Sequence, residues 1–167
     1  MKLLLIRHAQ TTFNKKGLFQ GQYDCKLSCE GIESTRKFKE NFNTHYDYCY
    51  ASPLKRARTT ADIIIDGKKV IYDSRLMEAC LGKYEKTKIT EEKLNMYVTG
   101  KYIPEGAETR DDVIKRVKSF LNDLKYNHKD TDVILIVTHG GVIRAIKQIY
   151  NITDKEVKNL ETIEVNI

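Results

Sequence analysis

The sequence predicts an α/β fold: a three-layer α/β/α sandwich around a mostly parallel sheet of five or six strands. Three observations carry that expectation. Leu3-Leu4-Leu5-Ile6 and Val133-Ile134-Leu135-Ile136-Val137 are apolar runs without alternation, the pattern of strands covered by helices on both faces. Strand-like and helix-like segments alternate along the chain. Residues 162–167 alternate apolar with polar, as an edge strand does.

Taken in order, the first strand ends at Arg7-His8, and a connection over 9–27 follows, rich in Gln, Asn, Gly and Thr. A loop of that length in a compact domain is usually functional. Ser28, ahead of Cys29-Glu30-Gly31, has the N-cap signature of a helix running to about Phe42. Residues 46–51 read as the second strand. Ser52-Pro53-Leu54 then reads as a helix start, with serine as the cap and proline in the first position. Leu54, Ala57, Ala61, Ile64 and Ile65 form the apolar face of that helix, which ends near Gly67. Residues 69–72 read as a short third strand and 77–86 as a second irregular loop. Helices are expected over 89–101 and 109–127, the latter with Val113, Val117, Phe120, Leu121 and Leu124 on one face. A last helix, over 140–150, follows the second histidine strand.

At 167 residues and 41% hydrophobic, with 9 glycines, 2 prolines, no repeats and no linker-like stretch, the chain is expected to be one domain over 1–167. Met1-Lys2 is followed by only four apolar residues before Arg7, too few for a signal peptide or a membrane span, so a cytoplasmic location is expected. The net charge is +6, but the lysines are interleaved with acidic residues, as in Lys37-Phe38-Lys39-Glu40, which describes a solvated surface rather than a nucleic-acid face. Positive potential around a cleft does concentrate a small anion. Cys25, Cys29, Cys49 and Cys80 form no CxxC pair and are expected as reduced thiols. None has an arginine after a five-residue spacer, so the phosphatase loop built on a nucleophilic cysteine is absent.

Both unalternated strands end in a histidine, as Arg7-His8 and as Thr138-His139-Gly140-Gly141. In one parallel sheet their carboxyl ends share an edge, which is where open α/β sheets place ligands. Arg56, in the opening turn of a helix, can reach that edge. Two imidazoles and two guanidinium groups suit a phosphate dianion, because guanidinium forks match its oxygens and helix N-termini add backbone N–H donors. Zinc would need three or four placed ligands, whereas His45 and His128 sit in polar connections with no HxH or HExxH pattern. No metal is expected.

The stretch Leu5-Ile6-Arg7-His8-Ala9-Gln10-Thr11-Thr12-Phe13-Asn14 resembles the signature of the histidine phosphatase superfamily, the phosphoglycerate mutase-like proteins. The resemblance continues in matching order through Gln20-Gly21, Ser52-Pro53-Leu54-Lys55-Arg56-Ala57, Leu76-Met77-Glu78, Gly82-Lys83-Tyr84-Glu85 and Val137-Thr138-His139-Gly140-Gly141. It implies His8 as nucleophile, Glu78 as proton donor, and Arg7, Arg56 and His139 as catalytic groups that also hold the phosphate. Asn14, Gln20, Gly21 and Gly140 complete the implied phosphate-binding set. Arg58 and Arg144 flank these motifs and are read as surface residues.

Two departures concern the cover of the site. Lys86 stands where the family usually has glycine, and Gly106-Ala107-Glu108-Thr109 stands for its Gly-Gly-Glu-Ser. The chain is short for the family, leaving a small cap formed by roughly 9–27 and 77–106. A mutase must shield its phosphohistidine from water, which favours a larger cap. The resemblance therefore implies a phosphomonoesterase, free of metal and cofactor, acting through phosphohistidine on a small phosphorylated metabolite, with α-ribazole 5'-phosphate the family substrate of best match. A phosphoglycerate mutase-type phosphotransferase and a non-catalytic phosphoester-binding protein are the alternatives. The expected partner is a small phosphoester, with no nucleic acid and no membrane, and the expected state is a monomer or homodimer.

Overall fold

β1 (Lys2–Arg7) and β4 (Val133–Thr138) lie side by side at the centre of the sheet, paired in parallel from Lys2 with Val133 to Arg7 with Thr138. The computed structural model, which describes residues 1–65, 67, 69–153 and 157–167, shows five strands in the order β3-β2-β4-β1-β5. β2 (Tyr48–Ala51) and β3 (Ile71–Tyr72) extend the parallel sheet, and β5 (Thr162–Asn166) closes the other edge antiparallel to β1.

Successive side chains of a strand point to opposite faces, and here both faces are apolar. Leu4, Ile6, Leu135 and Val137 pack under α3 (Lys55–Ile65), with Phe38 and Phe42 of the α2 region (Cys29–Asn41) against them. Leu3, Leu5, Ile134 and Ile136 pack on the other face, under α5 (Arg110–Asn127) and α6 (Gly140–Ile149). All five apolar positions expected on the 109–127 helix are buried, as are the five on the helix after Ser52. The result is the expected three-layer sandwich, and the lack of alternation in β1 and β4 is its cause.

Ser28 caps α2 through its side chain, which accepts from the Gly31 N–H. The 9–27 connection holds a helix the periodicity did not signal, α1 (Thr12–Lys16), closed by a Thr11/Asn14 capping box and by Gly17 at φ 61°. The helix after the second strand starts at Lys55 rather than at Pro53. Ser52 is therefore no N-cap, and Asp24 Oδ1 of the long loop takes the Lys55 N–H at 2.7 Å. The expected third strand shortens to Ile71–Tyr72. The 89–101 helix shortens to α4 (Glu91–Val98), because Thr90 caps its start and Gly100, at φ 71°, turns the chain away after it. No helix among the described residues is long and apolar enough to cross a membrane.

Candidate active site

The pairing of β1 with β4 sets the two histidines against each other. His8 extends the ladder by one bond, its N–H donating to the Thr138 carbonyl at 2.9 Å, and His139 follows at the start of α6. The imidazole centroids are 5.1 Å apart, with planes tilted by 59°. His8 is 2% exposed and His139 0%.

Each ring is held by one nitrogen. His8 Nδ1 lies 2.8 Å from the carbonyl oxygen of Ala9, which can only accept, so the ring proton sits on Nδ1 and Nε2 carries the lone pair. His139 Nε2 lies 2.7 Å from Ser52 Oγ. Burial, followed by the charge of Arg56, holds the pKa of both imidazoles well below the ordinary histidine value. Both rings are neutral at pH 7.

The arginines enter the same crevice from different elements. Arg56, 0% exposed, comes from the first turn of α3, and its terminal nitrogens donate to the Gly21 carbonyl at 2.6 Å and the Tyr23 carbonyl at 3.0 Å. Arg7 ends β1 and donates to the Val157 carbonyl at 2.8 Å. Burial pushes both guanidinium groups below their ordinary pKa, with the nearby Glu78 carboxylate acting against the shift. Among the described residues, four buried side-chain atoms lack a hydrogen-bond partner: Arg7 Nε, Arg56 Nε, His139 Nδ1 and His128 Nδ1. Three of these belong to this crevice. Buried polar atoms are nearly always bonded, so Arg7 Nε and Arg56 Nε are donors that a hydrogen-bond acceptor would satisfy.

Glu78 faces them from the loop after the Ser74–Leu76 turn. Its Oε2 accepts from the Gly141 N–H at 3.2 Å and its Oε1 from the Ala79 N–H at 2.9 Å. That approach needs glycine at 141, where a Cβ would collide with the Glu78 carboxylate. His139 is the N-cap of α6 and gives it no side-chain acceptor, so the first-turn N–H groups beginning at Gly140 face the crevice with the positive end of the helix dipole.

Asn14, Gln20 and Gly21 lie in the loop that wraps the site. Asn14 Oδ1 accepts from the Thr11 backbone at 3.0 Å, and Gln20 Oε1 accepts from Thr11 Oγ1 and from the Cys25 thiol, each at 3.0 Å. Both carbonyl oxygens brace the loop, leaving the NH₂ groups as the ends able to donate to an anion. Gly21 serves through its backbone, accepting from Arg56. Of the two flanking arginines, Arg58 is exposed and lies 4.6 Å over the Tyr72 ring. Arg144 is exposed too, and its guanidinium lies over Gly140, where its charge lowers the Arg7 pKa.

Several buttressing residues have no role in the sequence reading. Arg116 donates to the Glu78 carbonyl at 3.2 Å, to the Arg75 carbonyl at 2.6 Å and to Glu108 Oε1 at 2.8 Å, tying α5 to the acid loop. Asn159 donates to the His8 carbonyl at 2.6 Å. Glu85 Oε1 accepts from the Gln22 and Leu81 N–H groups, joining the 9–27 connection to the 77–86 loop. Lys86 adopts φ 67°, which explains why glycine suits this position, and its ammonium sits 4.5 Å over the Tyr23 ring. Phe19 and the 86–87 pair exchange backbone bonds of 2.9 Å, which hold the same two loops together. Glu85 and Glu108 stood in motifs that could have flagged them. Arg116 gave no signal, since it reads as a solvent position on an amphipathic helix.

All four cysteines are free. Burial pushes the Cys49 thiol up to about 12 and raises that of Cys25, so neither is a thiolate at neutral pH. No cluster of three or more His, Cys, Asp or Glu suited to a metal occurs among the described residues.

Two buried neutral histidines make stability depend on pH. Their folded pKa values are depressed, so the unfolded chain binds protons that the native state refuses, and stability is lost as pH falls below the unfolded value of about 6.5. The loss is at most about 1.4 kcal/mol per pH unit for each ring. Thermal melts from pH 8 to pH 5 should show a steeper decline for the wild type than for a His8→Gln, His139→Gln variant; parallel curves would contradict neutral burial.

A mostly parallel sheet covered on both faces, with two buried imidazoles 5.1 Å apart at its carboxyl edge and Arg7 and Arg56 beside them, defines an α/β protein with its charged and titratable groups gathered at the strand ends. The sequence profile of the histidine phosphatase superfamily (branch 1) matches residues 3–166, and the chain belongs to that superfamily. It is 31% identical over 159 residues to a metal-independent phosphoserine phosphatase of Arabidopsis thaliana, covering 87% of this chain and 66% of that one. It is 29% identical over 160 residues to a broad-specificity phosphatase of Saccharomyces cerevisiae, covering 89% and 69%. Among solved structures, a phosphoglycerate mutase from Thermus thermophilus superposes with a TM-score of 0.82 at 27% identity, over 99% of this chain and 93% of that one.

Proposed function

We propose that this protein is a metal-independent phosphomonoesterase that hydrolyses a small phosphorylated metabolite through a phosphohistidine at His8. The observation that carries this reading is the set of unpartnered buried donors, Arg7 Nε, Arg56 Nε and His139 Nδ1, around a neutral His8 whose free nitrogen is Nε2. A phosphoryl dianion matches those donors, and Nε2 then stands ready to attack phosphorus.

In the first half-reaction a P–N bond forms at His8 Nε2 as the ester P–O bond breaks, and protonated Glu78 gives its proton to the departing alkoxide. Arg7, Arg56, His139 and the α6 N-terminus spread the charge of the transferring group. In the second, ionised Glu78 takes a proton from water, the water oxygen bonds to phosphorus, the P–N bond breaks, and phosphate leaves. Phosphatase names among the relatives support hydrolysis, and phosphoglycerate mutase names among them make transfer to a second substrate the rival outcome. Phosphoserine therefore joins α-ribazole 5'-phosphate, sugar phosphates and phosphoglycerates in the substrate screen. Hydrolysis of p-nitrophenyl phosphate in EDTA, with phosphate release scored against isomerised product, tests the reading. Bound phosphate with no turnover from pH 5 to 8 would leave a binding protein in its place.

Glu78→Gln separates acid from phosphate-binding roles. Turnover of an alkyl phosphate should fall by about 100- to 10,000-fold, the usual share of a positioned proton donor. Nitrophenolate leaves without a proton, so phosphorylation by p-nitrophenyl phosphate should suffer less, and phosphohistidine should accumulate for want of the base. Equal losses in the phosphorylation step on the two leaving groups would remove Glu78 from this role.

A further inference from the structure

We infer that Ser52 is a positioning residue that locks His139 with its proton on Nδ1, so that one imidazole offers the phosphoryl group a donor while the other offers phosphorus a lone pair. The meaning of the Nδ1 proton rests on the phosphatase reading, whereas the tautomer itself does not.

Ser52 directly follows β2, and its backbone N–H donates to the Val137 carbonyl at 3.0 Å, two residues before His139. This cross-strand bond fixes the serine against the histidine. Both residues are fully buried, so no solvent competes for the hydroxyl. Ser52 Oγ accepts the Leu54 N–H at 3.3 Å and lies 2.7 Å from His139 Nε2. No other partner of this hydroxyl occurs among the described residues.

The direction of the shorter bond follows from what each arrangement leaves unpaired. If the hydroxyl donates to Nε2, its oxygen accepts from Leu54, its proton is bonded, and the neutral ring keeps a proton on Nδ1, a buried atom with no other partner. With the proton on Nε2 instead, Ser52 would accept twice and its own buried proton would point at nothing. An unsatisfied buried donor counts against that arrangement. Burial and the Arg56 charge keep the ring from escaping the choice by taking a second proton in the unliganded protein.

His8 carries its proton on the same nitrogen, held by the Ala9 carbonyl at 2.8 Å. The rings nevertheless do opposite work, because the protein grips His8 by Nδ1 and His139 by Nε2. The side chain of a serine before a helix thus makes its shorter bond to the second histidine and its longer one to the chain entering the helix.

The tautomer can be read in the full-length protein labelled with ¹⁵N-histidine, from two-bond ring correlations assigned with His139→Asn. Protonated Nδ1 at His139 in the wild type, and a shift toward the Nε2–H form in Ser52→Ala, is the expected result. Ser52→Ala should lower kcat/KM by about 10- to 100-fold, the scale of losing a partner that orients an imidazole, and Ser52→Thr should restore most of it. In a His139→Asn background the same Ser52→Ala change should cost nothing more, because its effect runs through that ring. A wild-type His139 protonated on Nε2, or an equal cost of Ser52→Ala in both backgrounds, would overturn the assignment. The wild-type spectrum decides even if Ser52→Ala does not fold, and a chain without turnover would show its tautomer all the same.

Discussion

His8→Ala is expected to lower phosphomonoester turnover by about 10,000-fold or more, the scale on which removal of a covalent nucleophile acts when the rest of its machinery remains. The loss should fall on kcat, since Arg7, Arg56 and His139 still bind the phosphoryl group. Quenched incubation of the wild type with ³²P-labelled substrate should trap an acid-labile, base-stable adduct that is missing from His8→Ala. The fold should tolerate the change: His8 touches the ladder through its backbone, which alanine retains. An adduct mapped to another side chain, or turnover persisting in a folded His8→Ala protein, would end the covalent mechanism.

Arg56→Met is expected to cost about 1,000-fold or more in activity, comparable to withdrawing an arginine that stabilises a transferring phosphoryl group. Two effects on stability oppose each other. The Gly21 and Tyr23 carbonyls lose their donors, at about 1–3 kcal/mol for each one left buried. Against this, a fully buried guanidinium with no carboxylate bonded to it disappears, and its desolvation cost with it. The two roughly offset, so the melting temperature without ligand should move little. What should vanish is the rise caused by inorganic phosphate, which in the wild type is about 2.7 kcal/mol at a concentration 100 times Kd. An undiminished phosphate-induced shift in Arg56→Met would mean that Arg56 is not part of the anion site.

The architecture was legible because it is written in local patterns. Leu3 to Ile6 and Val133 to Val137 lack alternation because both faces of their strands are covered, and the 3.6-residue spacing of Val113, Val117, Phe120, Leu121 and Leu124 states which side of α5 meets the sheet. The boundaries were less legible. The long first loop conceals α1, whose five residues are too few for a periodic signal, and β3 is held for only two residues at the open edge of the sheet. The helix carrying Arg56 begins later than the Ser-Pro pair suggests, because the serine hydroxyl is drawn to His139 by a tertiary bond.

The sequence by itself determined which chemistry-bearing groups stand at strand ends and helix starts: Arg7, His8, Arg56, His139 and Gly140. Those positions follow from hydrophobic periodicity and capping, which depend on neighbours a few residues away. Only the tertiary structure decided that β1 and β4 are adjacent, that the two imidazoles stand 5.1 Å apart and neutral, and which nitrogen of each is free. It also decided that Arg116, 38 residues from Glu78 along the chain, holds the acid loop. Burial and hydrogen bonding between distant segments set those properties, and no local pattern encodes a pKa or a tautomer that depends on what the folded chain places beside it.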